Sequence, residues 1–211
     1  EVPSRGLGDV YKRQITKPRT DGDKNYDTAT FYSISNCQDG LSRVTLGNFL
    51  IKRVVFEIQE ELPNIKNFGT LSPIPGFRDW FVNLDEKLVK NILGNIPLEN
   101  ISFLKSSSLK IGDTRIISNK NAIYKLVAHY LMNEKNSKQL PINDVCRFHL
   151  GNGAIIDDIV INANISEVGF KRSFGVMVNY LYELKNIEKN HEEYINKKTT
   201  IISNKVKKLI Q

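Results

Sequence analysis

Two short stretches of this 211-residue chain carry side chains suited to proton transfer. In one of them, His149 is followed one residue later by the turn-forming run Gly151, Asn152 and Gly153. An imidazole beside a change of chain direction can be aimed into a cleft, and its ordinary pKa lies near neutrality. The same spacing is also typical of a buried structural histidine next to a hairpin turn. A second group is therefore needed before His149 is regarded as catalytic.

The other stretch supplies a hydroxyl group. Ser72 is followed at once by Pro73, Ile74, Pro75 and Gly76, and the two prolines restrict the backbone. Such rigidity holds a hydroxyl in one place without the entropy cost of ordering a loose loop. The alternative is a turn that ends a strand, in which Ser72 only caps the chain. Taken together, the two stretches support the hypothesis of a Ser-His pair.

A third feature is a loop that could bind an anion. The loop at residues 36–46 contains Gly40, and a helical pattern begins directly after it at Gly47 and Asn48. The first N–H groups of a helix lack partners and lie at the positive end of its dipole, so they favour phosphate. A pyrophosphate at residues 40–48 is therefore physically reasonable. A purely structural turn would show the same glycines.

These candidates are positioned by a strand, loop, helix and strand. Residues 28–35 are rich in β-branched and aromatic side chains and predict a strand, and the apolar spacing of residues 48–62 predicts a helix. Residues 65–71 predict a second strand that delivers Ser72 at its end. A right-handed crossover makes the two strands parallel or nearly so.

The rest of the chain predicts further helices and strands. In the final strand, Tyr180 and Tyr182 share one face, and one or both point toward the cleft if this strand lies near the one entered from His149. The turn after His149 is expected to set the direction of the strand that carries the imidazole. The predicted segments are a helical region at 83–133, a polar loop at 133–143, a strand at 154–161, a short helix beginning at Ser166, a strand at 175–182, and a charged helix or helix pair at 187–210 with His191 on its surface.

The composition is that of a soluble globular protein, with 40% hydrophobic and 25% charged residues. No apolar run reaches the length of a membrane span, and no signal segment opens the chain. The net charge of +7 comes from scattered lysines and arginines, so we expect a polyanionic small molecule and no nucleic acid. Cys37 and Cys146 are far apart, which indicates a reducing compartment, the cytoplasm, and no metal site.

The beginning of the chain is expected to lie outside the fold. Residues 9–14 (DVYKRQ) resemble the translation of a sequencing adapter, so residues 1–14 are read as an artefact of a metagenomic fragment. Residues 15–27 are polar and predict a linker or a truncated edge. The absence of an initiator Met adds to the expectation that this is the C-terminal part of a longer protein. Residues 28–211 then form one catalytic domain.

Five segments, in order along the chain, resemble the malonyl-CoA decarboxylase family. They are more specific together than any single motif, and they span most of the proposed domain. The segments are 31–35 (FYSIS), 47–55 (GNFLIKRVV), 71–77 (LSPIPGF), 147–154 (RFHLGNGA) and 177–182 (MVNYLY).

The resemblance implies an α/β (α+β) fold similar to that of acyl-CoA N-acetyltransferases. A mixed sheet flanked by helices is expected, with the first strands and an N-terminal helical domain missing from this chain. The resemblance also implies that Ser72 and His149 are the catalytic serine and histidine and that Tyr182 is an active-site tyrosine.

Contacts with coenzyme A are assigned to four residues, of which Gly40, Gly47 and Asn48 lie at the proposed anion site and Asn152 follows the histidine. One position departs from the family pattern. Thr45 stands where some members carry an acidic residue, so no carboxylate role is carried over to it.

The implied reaction is the decarboxylation of malonyl-CoA to acetyl-CoA and carbon dioxide, through an enolate thioester, in fatty acid or malonate metabolism. The thioester is the substrate, and no metal or other cofactor is implied. The complete protein is expected to be a homo-oligomer. The alternatives are an acyl-CoA N-acyltransferase of the same fold and, more remotely, a basic module that binds nucleic acid.

Overall fold

The computed structural model describes residues 26–32 and 47–211, and its centre is a four-stranded mixed sheet. The strands lie in the order β1 (Thr28–Phe31), β2 (Asn67–Pro73), β4 (Met177–Leu181) and β3 (Ile155–Val160). β1 and β2 are parallel, as predicted, whereas β4 is antiparallel to both of its neighbours. The predicted α/β class with a mixed sheet and flanking helices is confirmed.

Helices alternate with the strands along the sequence and flank the sheet, and the region 83–133 is largely helical, as predicted. No helix in the described ranges is long and apolar enough to cross a bilayer. The α-helices are α1 (Gly47–Glu61), α2 (Phe77–Val82), α3 (Glu86–Leu93), α4 (Glu99–Ser102), α5 (Thr114–Ser118), α6 (Lys120–Met132), α7 (Asp144–Gly151), α8 (Glu167–Ser173), α9 (Ile187–Lys197) and α10 (Asn204–Ile210).

Strand β2 has one buried face, on which Phe68, Thr70 and Ser72 alternate with more exposed residues. Successive side chains of a strand point to opposite faces, so these three side chains share the side that faces the core. The strand runs two residues further than the sequence predicted. Ser72 therefore lies inside β2, opposite Val178 of β4, and the fold holds it by pairing as well as by the prolines.

Helix α7 carries His149 and was missed in the sequence, where this segment was predicted to pass from a polar loop through a turn into a strand. The side chain of Asn143 caps the helix by accepting a hydrogen bond from the N–H of Cys146 at 2.8 Å. Cys146 and Leu150, four residues apart, face the core. The imidazole therefore comes from the last turn of a helix and not from the strand, which begins only at Ile155.

The turn after α7 is held by the start of α9. Gly153 has φ +80°, and a Cβ atom there would overlap the carbonyl oxygen of Ile187, so both backbone and space require glycine. Asn190 donates to the carbonyl of Gly153 at 3.2 Å. His191, predicted to be on the surface, is half-buried and lies with Nδ1 2.6 Å from the carbonyl oxygen of Gly151.

Candidate active site

The predicted serine, histidine and tyrosine form one hydrogen-bonded chain. Ser72 Oγ lies 3.0 Å from Nε2 of His149, and the hydroxyl of Tyr182 lies 2.8 Å from Nδ1 of the same ring. The three side chains come from β2, from α7 and from the residue directly after β4. The fold thus brings together residues that are up to 110 positions apart in the sequence. This geometry removes the alternative in which Ser72 only caps a turn.

Thr70 is a fourth member of this hydrogen-bonded chain, and sequence reasoning missed it. Its Oγ1 lies 3.0 Å from Ser72 Oγ, and the side chain is buried. The signal was present in the sequence, because residues two apart on a strand lie on the same face. The observed hydrogen-bonded chain therefore consists of Thr70, Ser72, His149 and Tyr182.

Tyr180 holds the plane of the imidazole. Its ring is stacked on that of His149, with centroids 4.3 Å apart and planes inclined by 22°. The Tyr180 hydroxyl interacts with the thiol of Cys146, which lies three residues before His149 on α7. The sequence predicted that one or both of Tyr180 and Tyr182 point toward the cleft, and in the structure both contact the ring.

The site is almost closed to solvent in the part of the chain that the structure describes. Ser72 is 6% exposed, against 2% for His149 and 1% for Tyr182.

Burial fixes the protonation states of the two rings. It lowers the pKa of His149 to about 3, because the imidazolium would lose its hydration. Burial raises the pKa of Tyr182 above its ordinary value for the same reason, since the phenolate is the charged form. At neutral pH the site therefore holds a neutral imidazole and a protonated phenol.

These states also assign the tautomer of His149. A neutral imidazole has one N–H donor and one acceptor nitrogen. Among the described residues, the Tyr182 hydroxyl has no other hydrogen-bond partner to take its proton, so it donates to Nδ1. The ring proton then resides on Nε2, which donates to Ser72 Oγ. Ser72 Oγ then accepts a hydrogen bond from His149 and keeps its own proton available for donation.

The four residues assigned to coenzyme A have different placements. Gly40 lies outside the described residues, whereas Gly47 and Asn48 open helix α1. Asn152 is fully buried at the end of α7, and its amide donates to the carbonyl of Phe148 at 2.6 Å. This placement gives Asn152 a role in ending the helix, and the ligand contact assigned to it stays a prediction. Cys37 and Thr45 also lie outside the described residues.

A further concave site lies away from the hydrogen-bonded chain. A surface cleft of about 390 Å³ lies between α5, α6, β3 and α10, and none of its lining residues belongs to the hydrogen-bonded chain. In the described ranges, no group of three or more His, Cys, Asp or Glu side chains is placed to hold a metal ion.

Residues 7–211 match the family model described as the malonyl-CoA decarboxylase C-terminal domain. The match begins inside the first fourteen residues, whose assignment to an adapter stays a prediction. Among curated proteins, the chain is 34% identical over 204 residues to mitochondrial malonyl-CoA decarboxylase of Anser anser anser. It is 35% identical over 200 residues to the protein of the same name from Rattus norvegicus.

Solved structures give the same result. The fold matches the crystal structure of malonyl-CoA decarboxylase from Rhodopseudomonas palustris with a TM-score of 0.74 and 38% identity, over 87% of this chain and 42% of that one. The corresponding structure from Cupriavidus metallidurans gives a TM-score of 0.72 and 37% identity, over 87% of this chain and 48% of that one.

The alignments with the goose and rat proteins cover 88% and 86% of this chain, and the chain spans about 40% of the length of each of those proteins.

Proposed function

The chain belongs to the family of malonyl-CoA decarboxylase C-terminal domains, and on that premise we propose that its protein converts malonyl-CoA to acetyl-CoA and carbon dioxide. The observation that carries the proposal is the hydrogen-bonded chain in which Ser72, His149 and Tyr182 are joined at 3.0 and 2.8 Å. Such a chain can both hold an acyl oxygen and deliver a proton, which are the two tasks that this reaction sets.

In the proposed reaction, the bond between the carboxylate carbon and the α-carbon breaks, and carbon dioxide leaves. The electron pair moves toward the thioester carbonyl, which gives the enolate of acetyl-CoA. One proton is then added to the α-carbon. Because the negative charge moves onto the thioester oxygen in the transition state, hydrogen-bond donors near that oxygen lower the barrier most.

Ser72 is proposed to be the residue that meets the substrate and donates the proton. His149 is neutral because burial lowers its pKa to about 3, so it is not an imidazolium acid at neutral pH. An enolate carbon is basic enough to take a proton from a neutral hydroxyl. Nε2–H of His149 stabilises the Ser72 oxygen after the proton has left, and one proton from solvent restores the Ser72 hydroxyl.

The coenzyme A moiety is proposed to lie with its pyrophosphate at the N-terminus of α1. Gly47 and Asn48 are the first residues of that helix, where free N–H groups and the helix dipole favour phosphate. Gly40 and Asn152 complete the proposed set of contacts. The net charge of +7 gives a basic surface that suits a ligand with several phosphates.

The compartment and assembly also remain proposals. The goose and rat relatives are named as mitochondrial proteins. For this chain we propose the cytoplasm, because Cys146 is a free, buried thiol, which suits a reducing compartment. The complete protein is proposed to be a homo-oligomer.

Turnover of malonyl-CoA by the full-length protein, with no acceptor added, tests the proposed function. We expect equal amounts of acetyl-CoA and carbon dioxide, measured by chromatography and by trapped labelled gas. Turnover that begins only after an amine is added would instead establish the acyl-CoA N-acyltransferase. Binding of nucleic acid without thioester chemistry would establish the basic binding module.

A further inference from the structure

We propose that Thr70 is a positioning residue that directs the Ser72 hydroxyl toward the substrate. Oγ1 of Thr70 lies 3.0 Å from Ser72 Oγ, a contact in which either hydroxyl can donate. We assign Thr70 as the donor, which leaves the Ser72 proton free to point outward. This inference rests on the proposed decarboxylation and adds a residue to its machinery.

The strand geometry supports a fixed contact between the two hydroxyls. Thr70 and Ser72 are two residues apart on the buried face of β2, and this strand is paired on both sides. Thr70 lies opposite Phe31 of β1 and Tyr180 of β4. Threonine is also β-branched, so its χ1 angle is restricted. The backbone on both sides and the stiff side chain therefore hold Oγ1 of Thr70 in place.

The hydrogen-bonding capacity of serine gives the contact its direction. A serine hydroxyl can donate one hydrogen bond and accept two. With the tautomer assigned above and Thr70 as the donor, Nε2–H of His149 occupies one accepting position of Ser72 Oγ, and the Thr70 hydroxyl occupies the other. The donor proton is the only capacity left, and it is available to the substrate. If Ser72 donated to Thr70 instead, its proton would be held inward and the serine could not act as an acid.

The same contact stabilises the serine oxygen when its proton leaves. As negative charge develops on Ser72 Oγ, the two donors behind it, from His149 and Thr70, strengthen their hydrogen bonds. Loss of the Thr70 hydroxyl therefore affects the chemical step more than it affects substrate binding. The expected result is a lower kcat with little change in KM.

The test compares variants of the full-length protein in the malonyl-CoA assay. Thr70→Val keeps the size and β-branching of the side chain but removes its hydroxyl, and Thr70→Ser restores a hydroxyl without the methyl group. We expect Thr70→Val to lower kcat about 10- to 100-fold, which corresponds to one strong hydrogen bond. KM should stay within about threefold, and Thr70→Ser should recover most of kcat.

Two further measurements separate positioning from a structural role. Ser173→Ala also removes a buried hydroxyl, one that donates to the carbonyl of Val176 and lies outside the proposed site, and it should leave kcat unchanged. The solvent deuterium isotope effect on kcat should increase in Thr70→Val, because proton delivery becomes the slower step. A loss of stability alone would not change the ratio of kcat in H2O to kcat in D2O.

Three results would overturn the inference. One is wild-type kcat in Thr70→Val, and another is an equally slow Thr70→Ser with an unchanged Tm. If Thr70→Val does not fold, Thr70→Cys takes its place, because its thiol is a weak hydrogen-bond donor. The kcat of Thr70→Cys should then be lower than that of the wild type without being abolished. A wild-type kcat in Thr70→Cys is the third result. A wild-type protein that does not turn over malonyl-CoA overturns the proposed function itself, and this inference with it.

Discussion

At the scale of single residues, the site depends on a histidine that is kept neutral by its surroundings. Burial lowers the pKa of His149 to about 3, and the stacked ring of Tyr180 covers one face of the imidazole. The sequence singled out Ser72, His149 and Tyr182, because each lies in a distinctive motif. It did not single out Thr70, whose role depends only on its contact with Ser72 and not on any motif of its own.

The depressed pKa of His149 predicts how stability depends on pH. The folded pKa of about 3 lies below the ordinary value of 6.5, so the unfolded chain binds a proton that the folded chain does not. Above pH 6.5 the imidazole is neutral in both states, and the free energy of unfolding has its full value with respect to His149. As the pH falls from 6.5 toward 3, protonation of His149 in the unfolded chain lowers the free energy of unfolding. The loss should amount to about 1.4 kcal/mol per pH unit between those limits.

Urea unfolding at pH 6.5 and at pH 4.5, followed by circular dichroism, measures this loss. His149→Gln is the matched variant, since it lacks the titrating group and retains the contribution of every carboxylate. The wild-type free energy of unfolding should fall by about 2 kcal/mol more than that of the variant. Equal losses in the two proteins would show that His149 is not held neutral by burial.

At the scale of elements, helix α7 and the turn after it set the position of the imidazole. The Asn143 side chain caps α7 and also donates to the carbonyl of Pro75 at 2.9 Å, which joins the histidine helix to the segment after Ser72. The sequence did not predict α7, because eight residues are too few for a clear helical period and its cap lies in a polar stretch. Strand β1 was predicted in spite of its short length, because residues 28–35 are rich in β-branched and aromatic side chains.

Substitution of Gly153 tests the importance of this turn. Gly153 and Gly112 have φ angles of +80° and +78°, but only at Gly153 would a Cβ atom overlap a neighbour, the carbonyl of Ile187. Gly112→Ala should cost about 1 kcal/mol, from the backbone alone. Gly153→Ala should cost about 2 kcal/mol more, because the start of α9 must move.

Chemical unfolding of the two alanine variants gives the comparison directly, and Gly112→Ala serves as the control for backbone strain. A displaced turn should also shift His149, so Gly153→Ala is expected to lower kcat as well. Equal stability of the two variants would mean that α9 yields easily and does not hold the turn.

At the scale of the whole molecule, the sequence predicted the class of the fold and the family, and the structure supplied the contacts. Resemblance across five ordered segments identified the family, which the match over residues 7–211 confirms. Long-range contacts such as that of Ser72 with His149 depend on how β2, β4 and α7 pack, and local residue patterns do not reveal that packing. The chain spans about 40% of the length of its curated relatives, so the experiments proposed above use the full-length protein.

The kcat of Ser72→Ala in the full-length protein, with malonyl-CoA as the substrate, tests the central claim most directly. If Ser72 donates the proton and contacts the acyl group, kcat should fall by about 10²- to 10⁴-fold. The dissociation constant for malonyl-CoA should change only a few-fold, and Ser173→Ala should match the wild type. A Ser72→Ala enzyme with near wild-type kcat would contradict the account.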